Sequence, residues 1–495
     1  PSGSQSWASR DGQRQLVSST RAPSTAIHFP QLAAWLATYR ASNYSSHCFS
    51  TPYGRYLRIL REYGVPSHVF ADAAKSRELS FRYAEAAPSG AWVTQAATAL
   101  RNHPPNQWLT GPNLMLGTRG RAVVQELLRL MTAENALVTV SANELSSRAD
   151  RVEPLYGTRY GLQPIADETR GWVEAPLTNL MQAPLANRFL PLQLGVKQRL
   201  TAGSGLTSPM AGGQAAPSPT LLLDEVGLRL HWSGYNFRRP KAYAYFVLRS
   251  PTFYSSAAAA VQADLFASLL TDALQDVAFE AGQAGLAFGV GASYKGLVLQ
   301  FGGFDERLPQ LLELVATSLR TFAIQPAAFK GAPGRLSRSL RSLDKRQPVA
   351  LCSYHRNLAL QTPRYSHAEL LAEAERVSIE EVQAFQSSLL REVEVESFIG
   401  GNVGKADAVS WVKSLLVPLQ PSAPLPVAKR PVRRVRRVPT AAGATQQFIG
   451  GNADNSNSAV EVYFQIGGVS RVHTQGVCRC RQAGRSQCTK SFAVS

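Results

Sequence analysis

The sequence predicts an α+β fold in which helices pack on one face of a mostly antiparallel sheet. Three observations carry this expectation. The run Lys241 to Arg249 (KAYAYFVLR) is aromatic and β-branched, as a half-buried strand requires. Apolar residues then recur every four positions from Ala258 to Glu280, lining one face of a helix. Gly285 to Val290 and Gly296 to Phe301 follow as paired strands around the loop Gly291 to Lys295.

The helical stripe consists of Val261, Leu265, Leu269, Ala273 and Val277, and a second stripe runs through Leu312, Val315, Leu319 and Phe322. Ser378 and Glu381 are spaced as a capping box, with Val377 and Val382 placed for the hydrophobic staple, so a helix is expected from Ile379. Val393 and Val395 alternate with Glu392, Glu394 and Glu396, the period of a strand with one wet face. Tyr243, Tyr245 and Phe246 read as core and strand-pair residues rather than a peptide groove. Gly282, Gly285 and Gly296 read as helix-end and strand-bend positions.

The chain has 495 residues, enough for about three globular units. Its 44% apolar fraction excludes wholesale disorder, and no apolar run is long enough to cross a membrane as a helix. No secretory h-region is visible between Pro1 and Gln15, and a chain that begins without Met is expected to be a fragment. Cys48 and Cys352 stand alone while Cys478, Cys480 and Cys488 crowd the end, which suits a reducing compartment, cytoplasmic or organellar. The net charge of +18 would attract polyanions and acidic peptides. Much of the excess lies in Pro421 to Pro439 (PSAPLPVAKRPVRRVRRVP) and in Val469 to Ser495, which has five basic and no acidic residues. Residues 1–25 read as a disordered start, and Thr201 to Thr220 as a flexible linker.

Catalytic constellations are sparse. The histidines stand at 28, 47, 68, 103, 231, 355, 367 and 473, and no two are four apart, so neither HExxH nor HxxEH can occur. Such spacing is what lets one helix present two imidazoles to a single zinc. His367 reads as a solvated helix start. His473, Cys478, Cys480 and Cys488 are zinc-ligand types, but their spacing is neither a ribbon nor a finger. Gly404-Lys405 precedes Ala406 rather than Ser or Thr, and Gly289-Val290-Gly291 lacks a third Gly and a following helix, so neither is a phosphate loop. Lys429, Arg430, Arg433, Arg434, Arg436 and Arg437 are the candidate polyanion- or partner-binding residues. No stacking aromatics interleave them, which favours a tether between domains over a nucleic-acid site.

Several segments resemble the insulin-degrading enzyme, nardilysin and pitrilysin group of zinc metallopeptidases, the inverzincins. RLHWSGYNFRRPKAYAYFVLRSP (229–251) and AFEAGQAGLAFGVGASYKGLVLQFGGFDERLPQLLELV (278–315) are similar to the family's third domain. Residues 70–100, LMTAENALVTVSA (130–142) and LYGTRYGLQPIADE (155–168) are similar to its second, and NRFLP (187–191) to the start of the interdomain stretch. FIGGNVGKADA (398–408) resembles the close of domain three, and FIGGNADNSNSAVEVYFQIG (448–467) the opening strands of domain four.

The resemblance implies repeated metallopeptidase-type αβ domains, divided as a partial second domain over 26–185, a linker over 186–220, the third domain over 221–420, a basic linker over 421–444, the start of a truncated fourth domain over 445–467, and a divergent basic tail over 468–495. It implies a clamshell that encloses peptide substrates, with zinc held by a first domain that has no counterpart in this text. The chain would then bind no cofactor itself, be inactive alone, and serve as the substrate-enclosing, non-catalytic half. Its partners would be peptides and a separately encoded catalytic N-terminal half, with room for a dimer and none for a membrane. Arg159 and Tyr160 either face that chamber or are turn residues after Gly157. The alternative is an inactive peptide-binding or scaffold protein.

Overall fold

The computed structural model describes residues 56–85, 87–113, 117–132, 135, 143–164, 184–197, 218–234, 239–438, 446–449, 455, 457–463 and 465. The chain divides into two units, Pro1–Leu190 and Pro191–Ser495. In the first, helical residues 56–63 precede α1 (Ser67–Arg82), α2 (Ser89–Asn102) and α3 (Gly117–Leu130). Pro66 and Pro88 stand directly before α1 and α2, where a missing N–H costs no helical hydrogen bond. The buried apolar residues here include Leu57, Ile59, Leu79, Leu128 and Phe189. Two-residue strands β1 (Arg151–Val152) and β2 (Arg159–Tyr160) pair around Gly157, whose φ of 67° only glycine adopts freely. Arg159 and Tyr160 are therefore hairpin residues, and Arg159 donates to the Ala149 carbonyl. The unit's last residues are tied back by the backbone N–H of Asn187, which donates to Asp72 at 2.8 Å.

The second unit is built on one mixed sheet. Its elements in chain order are β3 (Thr220–Glu225), β4 (Leu228–Ser233), β5 (Lys241–Arg249), α4 (Ala257–Ala273), α5 (Gln275–Gln283), β6 (Ala287–Ser293), β7 (Gly296–Phe304) and α6 (Leu308–Thr321). Then come α7 (Pro326–Phe329), α8 (Ala332–Leu343), α9 (Pro348–Leu360), β8 (Gln361–Thr362), α10 (His367–Arg376), α11 (Ile379–Leu389), β9 (Glu392–Gly401), α12 (Lys405–Leu419), β10 (Ala423–Pro424) and β11 (Arg434–Val435). The strand order is β3-β4-β9-β5-β7-β6, with β10 added to the start of β9. Neighbours are antiparallel except β4 with β9 and β10 with β9.

Period two in β5 does what the sequence predicts. Ala242, Ala244, Phe246 and Leu248 are buried against the helices, while Tyr243 and Tyr245 are 41% and 42% exposed on the other face. Phe246 is thus core, and the two tyrosines are not. The core face continues through Leu297, Leu299 and Phe301 of β7, Val393, Val395 and Ile399 of β9, and Leu230 and Trp232 of β4. Above it lies α4, buried nearly all round and packed on β6, α10 and α11, while α6 packs on α12. The expected single helix over 258–280 is two helices, bent by 57° at Leu274. Among the described residues no single helix is long and apolar enough to cross a membrane.

Both reciprocal capping boxes of α10 and α11 form, Ser366 with Glu369 and Ser378 with Glu381. The hairpin turn needs Gly296, at φ 134°, because a Cβ there would lie 2.1 Å from the Leu248 carbonyl oxygen. Gly285, at φ 76°, follows α5 as a helix-end glycine should.

Candidate functional site

The sheet's second face is open. Its rows follow from the strand register: His231, Phe398, Tyr245 and Gln300 lie side by side across four strands, and Ser233, Gly400, Tyr243 and Gly302 form the next row. The glycines make room for the rings. A Cβ on Gly302 would stand 2.9 Å from the Tyr243 ring, and one on Gly400 would stand 3.0 Å from the Phe398 ring. Tyr245 and Phe398 lie 6.4 Å apart, centroid to centroid. The result is a half-exposed aromatic surface on a rigid sheet, with polar groups at its edges.

One end of this face is closed by charge. Glu394 belongs to the supposedly wet side of β9, yet it is only 3% exposed. Arg430 reaches it at 2.7 Å and Arg249 at 3.4 Å, and Arg249 also pairs with Glu396. A carboxylate can be buried there because two guanidiniums meet it. The expectation of a wet glutamate face is corrected at Glu394 alone.

Arg430 belongs to the basic run, so the run does not hang free as a tether. Ala423 and Pro424 extend the sheet beside Glu392 and Val393, and Lys429 pairs with Glu392 at 2.8 Å. Arg434 and Val435 pair antiparallel with Thr362 and Gln361, and the Arg436 N–H donates to the Leu360 carbonyl. Arg433 lies over the Tyr294 ring, 4.5 Å from its centroid. Residues 423–436 thus form a strap across this unit. Arg434, Arg436 and Arg437 are exposed along it. The structure therefore gathers Lys429, Arg430 and Arg433 onto protein partners and does not bring all six cations to one point.

Beyond the strap, described residues of the segment 446–465 meet α9. Arg356 pairs with Glu461 at 2.9 Å, both largely buried, and lies over Tyr463. Cys352, a free thiol, donates to the Ala459 carbonyl, and His355 stacks on Phe448 at 3.7 Å. The described residues of 448–467 form no strand, so the expected opening strands of a fourth domain are not found among them. On the opposite side of α9, His367 stacks on Tyr354 at 3.8 Å and its Nδ1 lies 2.9 Å from Asp344. Its side chain is 14% exposed, so this helix start is not solvated as expected.

A second polar cluster ties residues 191–197 to the sheet. Asn402 is fully buried; its Oδ1 accepts from the Lys197 N–H at 2.7 Å, and its Nδ2 donates to Gly195 and Asp305. Burial raises the Asp305 carboxyl, while Lys197 lowers that of Asp407. Sequence reasoning missed Asn402, although the Gly-Asn-x-Gly turn after β9 is a signal that could have marked it.

The donor set that zinc requires does not fit here. Among the described residues no three His, Cys, Asp or Glu side chains converge on a point. The imidazoles of His355 and His367 are engaged in stacking, and burial, then the charge of His367, lowers the former. His473, Cys478, Cys480 and Cys488 lie outside the described residues, as does Cys48.

Comparison with known proteins places these features in a wider set. The family described as "Middle or third domain of peptidase_M16" matches residues 81–373. The chain is 27% identical over 419 residues to insulin-degrading enzyme-like 1, peroxisomal, of Arabidopsis thaliana, covering 83% of this chain and 42% of that one. It is 25% identical over 416 residues to the insulin-degrading enzyme of Homo sapiens, covering 83% and 39%. Nardilysin of Rattus norvegicus is 26% identical over 431 residues, covering 83% and 34%. The crystal structure of pitrilysin shares the fold, with a TM-score of 0.59 at 20% identity over 75% of this chain and 38% of that one. The chain therefore spans about two-fifths of the length of the first relatives it matches.

Proposed function

The chain belongs to the M16 peptidase family, whose middle domain it carries, and from that premise we propose that it forms the non-catalytic, substrate-enclosing part of a peptide-degrading zinc metallopeptidase. The observation that carries this reading is the match of residues 81–373 to the family's middle or third domain. Two structural features support it. The open sheet face presents Tyr243 and Tyr245 as a flat aromatic wall against which an extended peptide could lie. The sequence offers no pair of histidines one turn apart to hold a hydrolytic metal.

On this reading the chain contributes shape and charge. Its positive field draws in acidic or extended peptides, and a metal-bearing N-terminal half supplies the hydrolytic chemistry. The compartment is one that keeps the Cys352 thiol reduced. The test is complementation with a quenched fluorescent peptide. The chain alone should show no chelator-sensitive cleavage, and adding a separately expressed N-terminal half should produce it. Binding of the peptide without any complementation would instead favour a scaffold that has kept the domains and lost the reaction.

A further inference from the structure

Two cations stand together where the strap meets the β6–β7 turn. In the antiparallel ladder of β11 on β8, Arg434 lies opposite Thr362 and Val435 opposite Gln361. Arg433 and Arg364 therefore leave the ladder at the same end. Arg433 lies over Tyr294, and Arg364 has as its hydrogen bond a long contact of 3.5 Å from Nη1 to Gln361. Nε of each guanidinium is buried without a hydrogen-bond partner, as it also is in Arg356 and Arg430, so the difference lies in what the rest of the guanidinium meets. Elsewhere in this unit a partly buried arginine meets a carboxylate: Arg249 and Arg430 meet Glu394, and Arg356 meets Glu461. Among the described residues neither Arg364 nor Arg433 does. Asp264, the nearby acid, is hydrogen-bonded to Tyr254. Burial and the charge of Arg433 both disfavour the charged form of Arg364. Tyr254 beside them holds a left-handed backbone, φ 53°, and its carbonyl accepts from the Tyr365 hydroxyl at 3.0 Å. Strain of this kind persists where surroundings over-determine it, often beside a binding site.

We propose that Arg364 and Arg433 form a two-pronged site for the phosphate group of a small soluble ligand. A phosphate near neutral pH carries close to two negative charges and three or more acceptor oxygens, so one group balances both guanidiniums and bonds both forks. A carboxylate balances only one. The site joins the strap to the segment after α9, so occupancy also fastens the strap.

The probe is inorganic pyrophosphate, titrated calorimetrically into the full chain at low salt, with acetate and chloride as comparisons. Saturable one-to-one binding is expected, with a dissociation constant below about 1 mM. Arg364→Gln and Arg433→Gln should each weaken it by about tenfold or more, the loss of one charge-assisted pair. Arg436→Gln, exposed further along the strap, should leave it unchanged. If Arg433→Gln loosens the strap, as judged by trypsin cleavage, Arg433→Lys keeps the charge without the fork and should still weaken binding. The proposal is overturned by failure to saturate at about 10 mM, well above the expected range. Acetate binding as tightly as pyrophosphate, or Arg436→Gln costing as much as Arg433→Gln, overturns it equally, since either would reveal diffuse attraction.

Discussion

Replacing Arg430 by Gln should loosen the strap by an amount that the geometry around Glu394 fixes. Glu394 is 4% exposed at its side chain and Arg430 31%. Breaking a fully buried ion pair by removing one partner costs about 3–5 kcal/mol. Arg430 is nearly a third open to water, and Arg249 stays 3.4 Å from the same carboxylate, so about 1–2 kcal/mol is the reasonable share. In a unit of this size that corresponds to a fall in Tm of about 2–4 °C. Glu394→Gln should cost less, because Arg430 can then turn toward water. The double variant should recover part of the loss, giving a coupling of about 1 kcal/mol in a thermodynamic cycle. Trypsin supplies an independent readout, since the strap is rich in Lys and Arg and a docked strand resists cleavage. The reasoning fails if Arg430→Gln melts with the wild type, the cycle closes at zero, and the strap is cut at once in the unaltered chain.

Three further outcomes follow from buried groups. Burial pushes the Asp264 carboxyl up to about 6 from 3.8. Its contribution to stability is complete below pH 3.8 and is lost as pH rises through 6. The rise of about 2 units is worth roughly 3 kcal/mol, so Asp264→Asn should gain on the wild type by up to that amount between pH 4 and 7.5. A difference in denaturant midpoint between variant and wild type that stays constant from pH 4 to 7.5 would contradict this. Gly296→Ala puts a Cβ against the Leu248 carbonyl at φ 134° and should cost at least about 2 kcal/mol, read from urea unfolding; a variant as stable as the wild type would mean that the hairpin is built differently. Asn402→Ala should cost about 3 kcal/mol by stranding the Lys197 N–H and the Gly195 carbonyl. Hydrogen exchange at Lys197 checks it, and unchanged protection there would sink the assignment.

What could be read from the sequence was local. Period two in 241–249, the four-residue stripe over 258–280 and the box at Ser378 and Glu381 all depend on neighbours within a turn or a pleat, and each appears in the fold. The break at Leu274 escaped because no Pro or Gly marks it. Strand β4 escaped because its parallel partner β9 lies more than 150 residues away. The larger misreadings concerned charge. Glu394 looked wet and the run 429–437 looked like a tether, since each charge finds its partner only in the tertiary structure: Arg430 on Glu394, Lys429 on Glu392, Arg433 on Tyr294. His367 looked exposed for the same reason, its cover being Tyr354 from a different helix. The open aromatic face required the register, because Gly302 and Gly400 take their meaning only beside Tyr243.

The most direct measurement is zinc content and peptide turnover on the purified 495-residue chain by itself. A chain that only encloses substrate should hold far less than one zinc per molecule after gel filtration, with no hydrolysis that a chelator abolishes. One tightly held zinc per chain together with chelator-sensitive turnover would contradict the account.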